Sequence, residues 1–131
     1  LFKKEDMLNL GVFDEDLFIY YPDCEIGRRI KKNRKSIIQV MDSKAIHTMG
    51  TLKIKNNIKN IFYRNYYFTF DGLIYYFKEN LHMPHFLRLK KKIPSLIIKS
   101  ILSIIFLRFN KSVEYFSKIL AYFNFKKKFI K

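Results

Sequence analysis

Acidic side chains are scarce in this chain and crowd one end, so chemistry is sought there first. Asp14-Glu15-Asp16, Asp23 and Glu25 fall within one short stretch, and the triplet spells a D-x-D string. Asp23 follows Pro22 and precedes a run with Ile26 and Ile30 at helical spacing, which makes it a plausible N-cap. His82-Met-Pro-His85 has a spacing that suits a metal on a helix, but Pro84 would break that helix and no third ligand is near, so a loop is expected. His47, taken alone, reads as a structural histidine at a strand end. Cys24 is the sole cysteine. That excludes a disulfide framework and a Cys-rich zinc site, and fits a reducing compartment such as the cytoplasm. The glycines (Gly11, Gly27, Gly50, Gly72) lie far apart, so neither a P-loop nor a G-x-G-x-x-G fingerprint can be built.

The charge is segregated. Residues 1–27 hold two Lys against seven acids, whereas the rest holds 24 basic residues against Asp42, Asp71, Glu79 and Glu114, for a formal net charge of +15 over 131 residues. An acidic site beside an anion-seeking surface follows, the anions being nucleotide, nucleic-acid or lipid phosphates. With 49% hydrophobic residues the chain is not disordered by composition, and its length suits one domain or a piece of one. Abundant Lys, Ile, Asn and Phe suggest an AT-rich bacterial genome.

These residues need elements to position them. Residues 1–3 read as the end of a strand, and 4–10 as a short helix stopped at Gly11. A helix is expected over 23–33, a β-branched strand over 37–41 and another over 45–48. The helix-then-strand rhythm of residues 1–50 is that of an α/β domain. Residues 51–85 form a basic connector (51–60) and an aromatic helix (61–77), in which Phe62, Tyr66, Thr69, Leu73 and Phe77 share a face. Residues 86–131 form a basic amphipathic extension. In it Ser95, Lys99 and Ser103 make a polar stripe opposite Ile97, Ile101, Ile104 and Ile105. Tyr115, Phe116, Ile119, Leu120 and Phe123 make a second apolar face before a basic tail. A membrane span needs about 20 mainly apolar residues, which Lys99 and Arg108 interrupt, so helices lying in the headgroup plane are expected.

The segment from Gly11 to Ile30, Gly-Val-Phe-Asp-Glu-Asp-Leu-Phe-Ile-Tyr-Tyr-Pro-Asp-Cys-Glu-Ile-Gly-Arg-Arg-Ile, resembles part of the family-2 glycosyltransferases, especially rhamnosyltransferase-like members. In these enzymes a G-G-F-D-E segment leads through aromatics to E-D-x-D-L-x-x-R at the start of a helix. A His-x-x-G then follows, matched by Ile46-His-Thr-Met-Gly50, and Tyr63-Arg-Asn65 is similar to their later R-N element. The resemblance covers residues 1 to about 80, and the C-terminus only in style. It implies the C-terminal portion of a GT-A, nucleotide-diphospho-sugar transferase domain, followed by membrane-associating helices.

Carried over, Asp23 falls on the catalytic base, which takes the proton of an acceptor hydroxyl in an inverting displacement. Glu25 and Arg29 are supporting, acceptor-side positions, with a surface or ion-pairing role as the alternative for Arg29. His47 falls on a ligand of the divalent metal, Mn or Mg, that bridges the donor diphosphate. The sequence departs from the pattern in two places: Pro22 replaces the Glu before the base, and Glu25 replaces an Asp. Asp14-Glu15-Asp16 occupies the F-D-E position, not that of the metal-binding D-x-D, and is expected to be a solvated acidic loop.

The resemblance implies a truncated or split enzyme whose donor-binding half lies elsewhere, inactive by itself. Its donor would be a nucleotide-sugar, with rhamnose the sugar the likeness points to. The acceptor would be a lipid-linked or cell-surface glycan, and the location the inner face of the cell membrane. The alternative is a non-enzymatic basic protein that binds a membrane surface or nucleic acid. Against the nucleic-acid version, most aromatics sit at helical core spacing and no nucleic-acid-binding motif occurs.

Overall fold

A computed structural model describes residues 3–38, 41, 42, 44, 46, 57–79 and 82–130, with only the backbone of 82 and 83. Five helices follow one another: α1 (Lys4–Leu10), α2 (Pro22–Lys32), α3 (Ile58–Lys78), α4 (His82–Ile105) and α5 (Phe109–Phe129). Among the described residues there is no β-strand, so the expected α/β class is wrong and the chain does not form the C-terminal portion of a GT-A fold. Ile37 and Ile38 show why. They belong to no helix or strand and are 70% and 82% exposed, and Met41 and Asp42 already turn. A β-branched run becomes a strand only where a neighbouring strand takes up its backbone groups and a core takes up its side chains. Of the second expected strand, 45–48, only Ile46 is described, and Leu1 and Phe2 of the expected N-terminal strand also lie outside the described residues.

The three long helices form the frame. α3, α4 and α5 pack against one another, α3 on α5 most extensively. The central cluster joins Leu17 from the loop before α2, Leu73 and Ile74 from α3, and Phe125 from α5, so all three stretches of sequence share it. α3 is capped by Asn57, whose side chain accepts from the Asn60 backbone N–H, and so begins three residues earlier than its aromatic periodicity suggests.

α4 differs most from expectation. His82 to Ile105 is one helix, because Pro84 lies in its first turn, where no intrahelical N–H is needed. Pro94 lies inside the helix. Pro94 and Lys90 are both exposed, so water can take up the carbonyl that the missing N–H leaves free.

The C-terminal half of α4 turns most of its apolar residues outward. Ile93 is buried and Leu96, Ser100 and Ser103 are half-buried, while Ile97, Ile98, Ile101, Leu102, Ile104 and Ile105 are exposed. The Ser100 and Ser112 hydroxyls meet at 3.0 Å between the two helices. On α5 the buried residues include Ser112, Ser117 and Ala121, and Phe116 and Phe123 are exposed. Where Ser100 meets Ser112, small side chains let the backbones approach and the isoleucines from Ile97 to Ile105 are turned out, while Tyr122 and Phe125 further along α5 are buried against Phe86 of α4.

Candidate functional site

The acidic segment is built as a loop, residues 11–21, closed onto α2 and α3. Gly11 ends α1 with φ 74°, a left-handed conformation that glycine accepts without strain, and a Cβ there would lie 3.1 Å from an Arg29 guanidinium nitrogen. Arg29 then gathers the loop. Its Nη1 donates to the carbonyls of Leu10 and Gly11, both at 2.6 Å, and its Nη2 to Val12 O at 2.5 Å and Glu25 Oε2 at 2.8 Å. Arg29 Nε lies 2.6 Å from the other Glu25 oxygen. Arg29 and Glu25, one helical turn apart, therefore clamp the loop to α2.

Further along, Asp71 holds the loop from the α3 side. This fully buried carboxylate accepts the backbone N–H groups of Ile19 and Tyr20 through Oδ2, both at 2.9 Å. Its Oδ1 has no hydrogen-bond partner among the described residues. Tyr21, the N-cap of α2, has φ 71°. That unusual conformation for a side chain with a Cβ is held by stacking on Tyr75 (5.2 Å, 15°). Gly72 makes room for the ring: a Cβ there would lie 3.2 Å from it. Burial pushes the Tyr21 hydroxyl above its ordinary pKa.

Asp23 thus lies in the first turn of α2 behind Pro22, not at the N-cap position its sequence suggested. Its carboxylate is exposed and makes no hydrogen bond or ion pair among the described residues. No family model, curated protein or solved structure matches this chain.

Glu25 is buried and paired with Arg29, so both supporting positions are engaged in the clamp. His47 lies outside the described residues, as does Gly50. Among the described residues no three His, Cys, Asp or Glu side chains gather to hold a metal. The expected solvated loop at Asp14–Asp16 is instead ion-paired: Lys78 reaches Asp14 at 2.6 Å and Asp16 at 2.8 Å, and Lys128 reaches Asp16 at 2.9 Å. These lysines hold the Asp16 carboxyl below its usual range. In the R-N pair, Asn65 donates to Ile61 O within α3 and Arg64 is exposed.

Asp71 and Tyr21 were not singled out from the sequence. A signal existed for Asp71, the sole acid inside α3, a helix otherwise rich in aromatics. Among the described residues, no helix is long and apolar enough to cross a membrane.

Proposed function

We propose that this chain is the acceptor-side, membrane-surface portion of an inverting glycosyltransferase, working with a donor-binding polypeptide outside these 131 residues. The observation that carries it is the free, exposed carboxylate of Asp23 beside a loop that Arg29, Glu25 and Asp71 hold in place. A base needs an unengaged oxygen and a fixed position, and the ordered likeness from Gly11 to Asn65 assigns that base to Asp23. Asp23 would accept the proton of an acceptor hydroxyl as its oxygen bonds to the anomeric carbon, while the bond from that carbon to the nucleoside diphosphate breaks. The frame in this proposal is the helical one described above. The nucleotide-sugar donor, rhamnose as its sugar, and a lipid-linked or cell-surface glycan acceptor at the inner membrane face belong to it as expectations of the likeness.

The test pairs the chain with the polypeptide encoded immediately upstream, a nucleotide-sugar and a lipid-linked acceptor. Transfer is expected only with both proteins, and Asp23→Asn should lower it by about 100-fold or more. Undiminished transfer by Asp23→Asn, or turnover by the chain alone, would overturn the proposal.

A second reading, a membrane-surface protein without chemistry, is favoured by the outward isoleucines of α4 and the lysines around them. It shares the membrane step and lacks the transfer step. Salt-sensitive binding to oligonucleotides but not to vesicles would replace both readings.

A further inference from the structure

We propose that the cleft bounded by α3, α4 and the entry to α2 binds a phosphate-bearing ligand. His85, Arg88 and Lys92 would hold the phosphate, and a ring of the ligand would lie against Tyr21 and Phe68. The cleft is ≈ 300 Å³, and Thr69 and Leu89 complete its lining. That volume suits a phosphate or diphosphate joined to one ring.

Its cations come from one face of one helix, at spacings of three and four residues, so α4 itself brings them together. The helix contains no Asp or Glu. Among the described residues no ion pair reaches Arg88 or Lys92, whereas Arg28, Lys32, Lys78, Lys111, Lys118 and Lys128 each meet a carboxylate. The molecule thus spends its acids elsewhere and leaves this face uncompensated. His85 is half-buried and stacked on Tyr76 at 4.4 Å. Burial, then Arg88 and Lys92, hold its imidazole below the ordinary pKa. A multiply charged anion would relieve the repulsion between Arg88 and Lys92 and favour a proton on His85, and the Arg88 fork offers paired donors to phosphate oxygens.

The opposite wall is aromatic. Tyr21 is fixed by Tyr75 and tilted against Phe68 at 5.9 Å, which leaves two rings facing the cleft. Aromatic faces accept bases and sugar rings by stacking and apolar contact. The site stands independently of proton transfer by Asp23. Within the proposed function it would hold the phosphate of an acceptor lipid or of a soluble phosphate ester.

Titration calorimetry on the full chain with inorganic phosphate and phenyl phosphate tests this. Phenyl phosphate should bind more tightly than inorganic phosphate. The double variant Arg88→Gln/Lys92→Gln should weaken phenyl phosphate binding by about tenfold or more. Lys126→Gln/Lys127→Gln, with the same change in charge on the exposed end of α5, should alter it by less than about twofold. Equal losses in the two doubles would reduce the effect to net charge and overturn the proposal, as would binding no tighter with the ring than without it. Arg88 and Lys92 are exposed, so folding should survive their substitution. Should a variant not fold, the imidazole titration of His85 in the unaltered chain decides instead, since bound phosphate must raise that pKa and an unchanged value overturns the site. Two sources of phosphate are separated with vesicles containing phosphatidylglycerol. Competition by phenyl phosphate assigns the cleft to a lipid headgroup, and vesicle binding without competition assigns it to a soluble ester.

Discussion

Arg29 is half-buried on α2 and makes more hydrogen bonds than any other side chain among the described residues. Four donated hydrogen bonds tie the end of α1 and the start of the acidic loop to α2. The family likeness gave it a supporting role and its residue type an ion-pairing one; Glu25 at i−4 made the ion pair legible. The three carbonyls were not legible, because a backbone acceptor has no signature in the sequence. Arg29→Gln should destabilise the fold by about 2–4 kcal/mol, since it frees three carbonyls and leaves buried Glu25 unpaired. Urea denaturation measures this. A loss below about 0.5 kcal/mol, the level of an exposed pair, would show that the clamp is not structural.

At the scale of elements, α4 and α5 decide how the molecule presents itself. Apolar periodicity marked part of α5 and part of α4, but it could not say which face is buried: Phe116 and Phe123 of the expected α5 face are exposed, and Ala121, Tyr122 and Phe125 are buried. α4 carries apolar residues on nearly every side from Leu96 to Ile105, so the periodicity is weak there. The partner helix selects instead the side with serines, because a close approach needs small side chains. Ser100 sits against Ser112, and Ser100→Leu should cost about 1–3 kcal/mol through overpacking. Ile101 and Ile104 are 53% and 51% exposed, and replacing both by Ser should change thermal stability little, by about 0.5 kcal/mol or less each. The same pair of substitutions should weaken binding to anionic vesicles severalfold. A large drop in melting temperature for the isoleucine variant, with none for Ser100→Leu, would reverse the assignment of the faces.

At the scale of the whole molecule, ion pairs tie distant segments together, some of them across the boundary between its acidic and basic parts. Lys78 and Lys128 grip Asp14 and Asp16, and Arg28 and Lys32 of α2 grip Glu79 at the end of α3. Burial alone would raise the Glu79 carboxyl, but its hydrogen bonds with Arg28 and Lys32 outweigh it and bring the group below its ordinary value. Asp16 is held below its ordinary value by hydrogen bonds from Lys78 and Lys128. A carboxylate whose folded pKa is depressed adds stability above its unfolded pKa and loses it as pH falls through the folded one. The melting temperature should therefore decline gently below about pH 6.5, where the half-buried His85 resists the proton that the unfolded chain takes up, and fall steeply below about pH 4 as the paired carboxylates protonate. Lys78→Gln should flatten part of that fall, and an unchanged acid profile would show that these pairs contribute nothing. The acids are thus engaged away from α4, and among the described residues no ion pair reaches Arg88 or Lys92.

The sequence by itself determined what is local: segregated charge, helices near 4–10, 23–33 and 61–77, and the stop at Gly11. Helical hydrogen bonds close within four residues, so periodicity, caps and breakers carry that information. The tertiary structure decided everything that needs a distant partner. Ile37 and Ile38 stay out of a strand because no described segment pairs with them, and Tyr21 rather than Asp23 caps α2 because Tyr75 and Gly72 hold its ring. Asp71, fifty residues downstream in α3, secures the loop that leads to Asp23. The isoleucines of α4 from Ile97 onward face outward because Ser100 is what α5 can approach. Each of these outcomes depends on contacts between residues far apart in the chain, and burial depends on which surfaces meet.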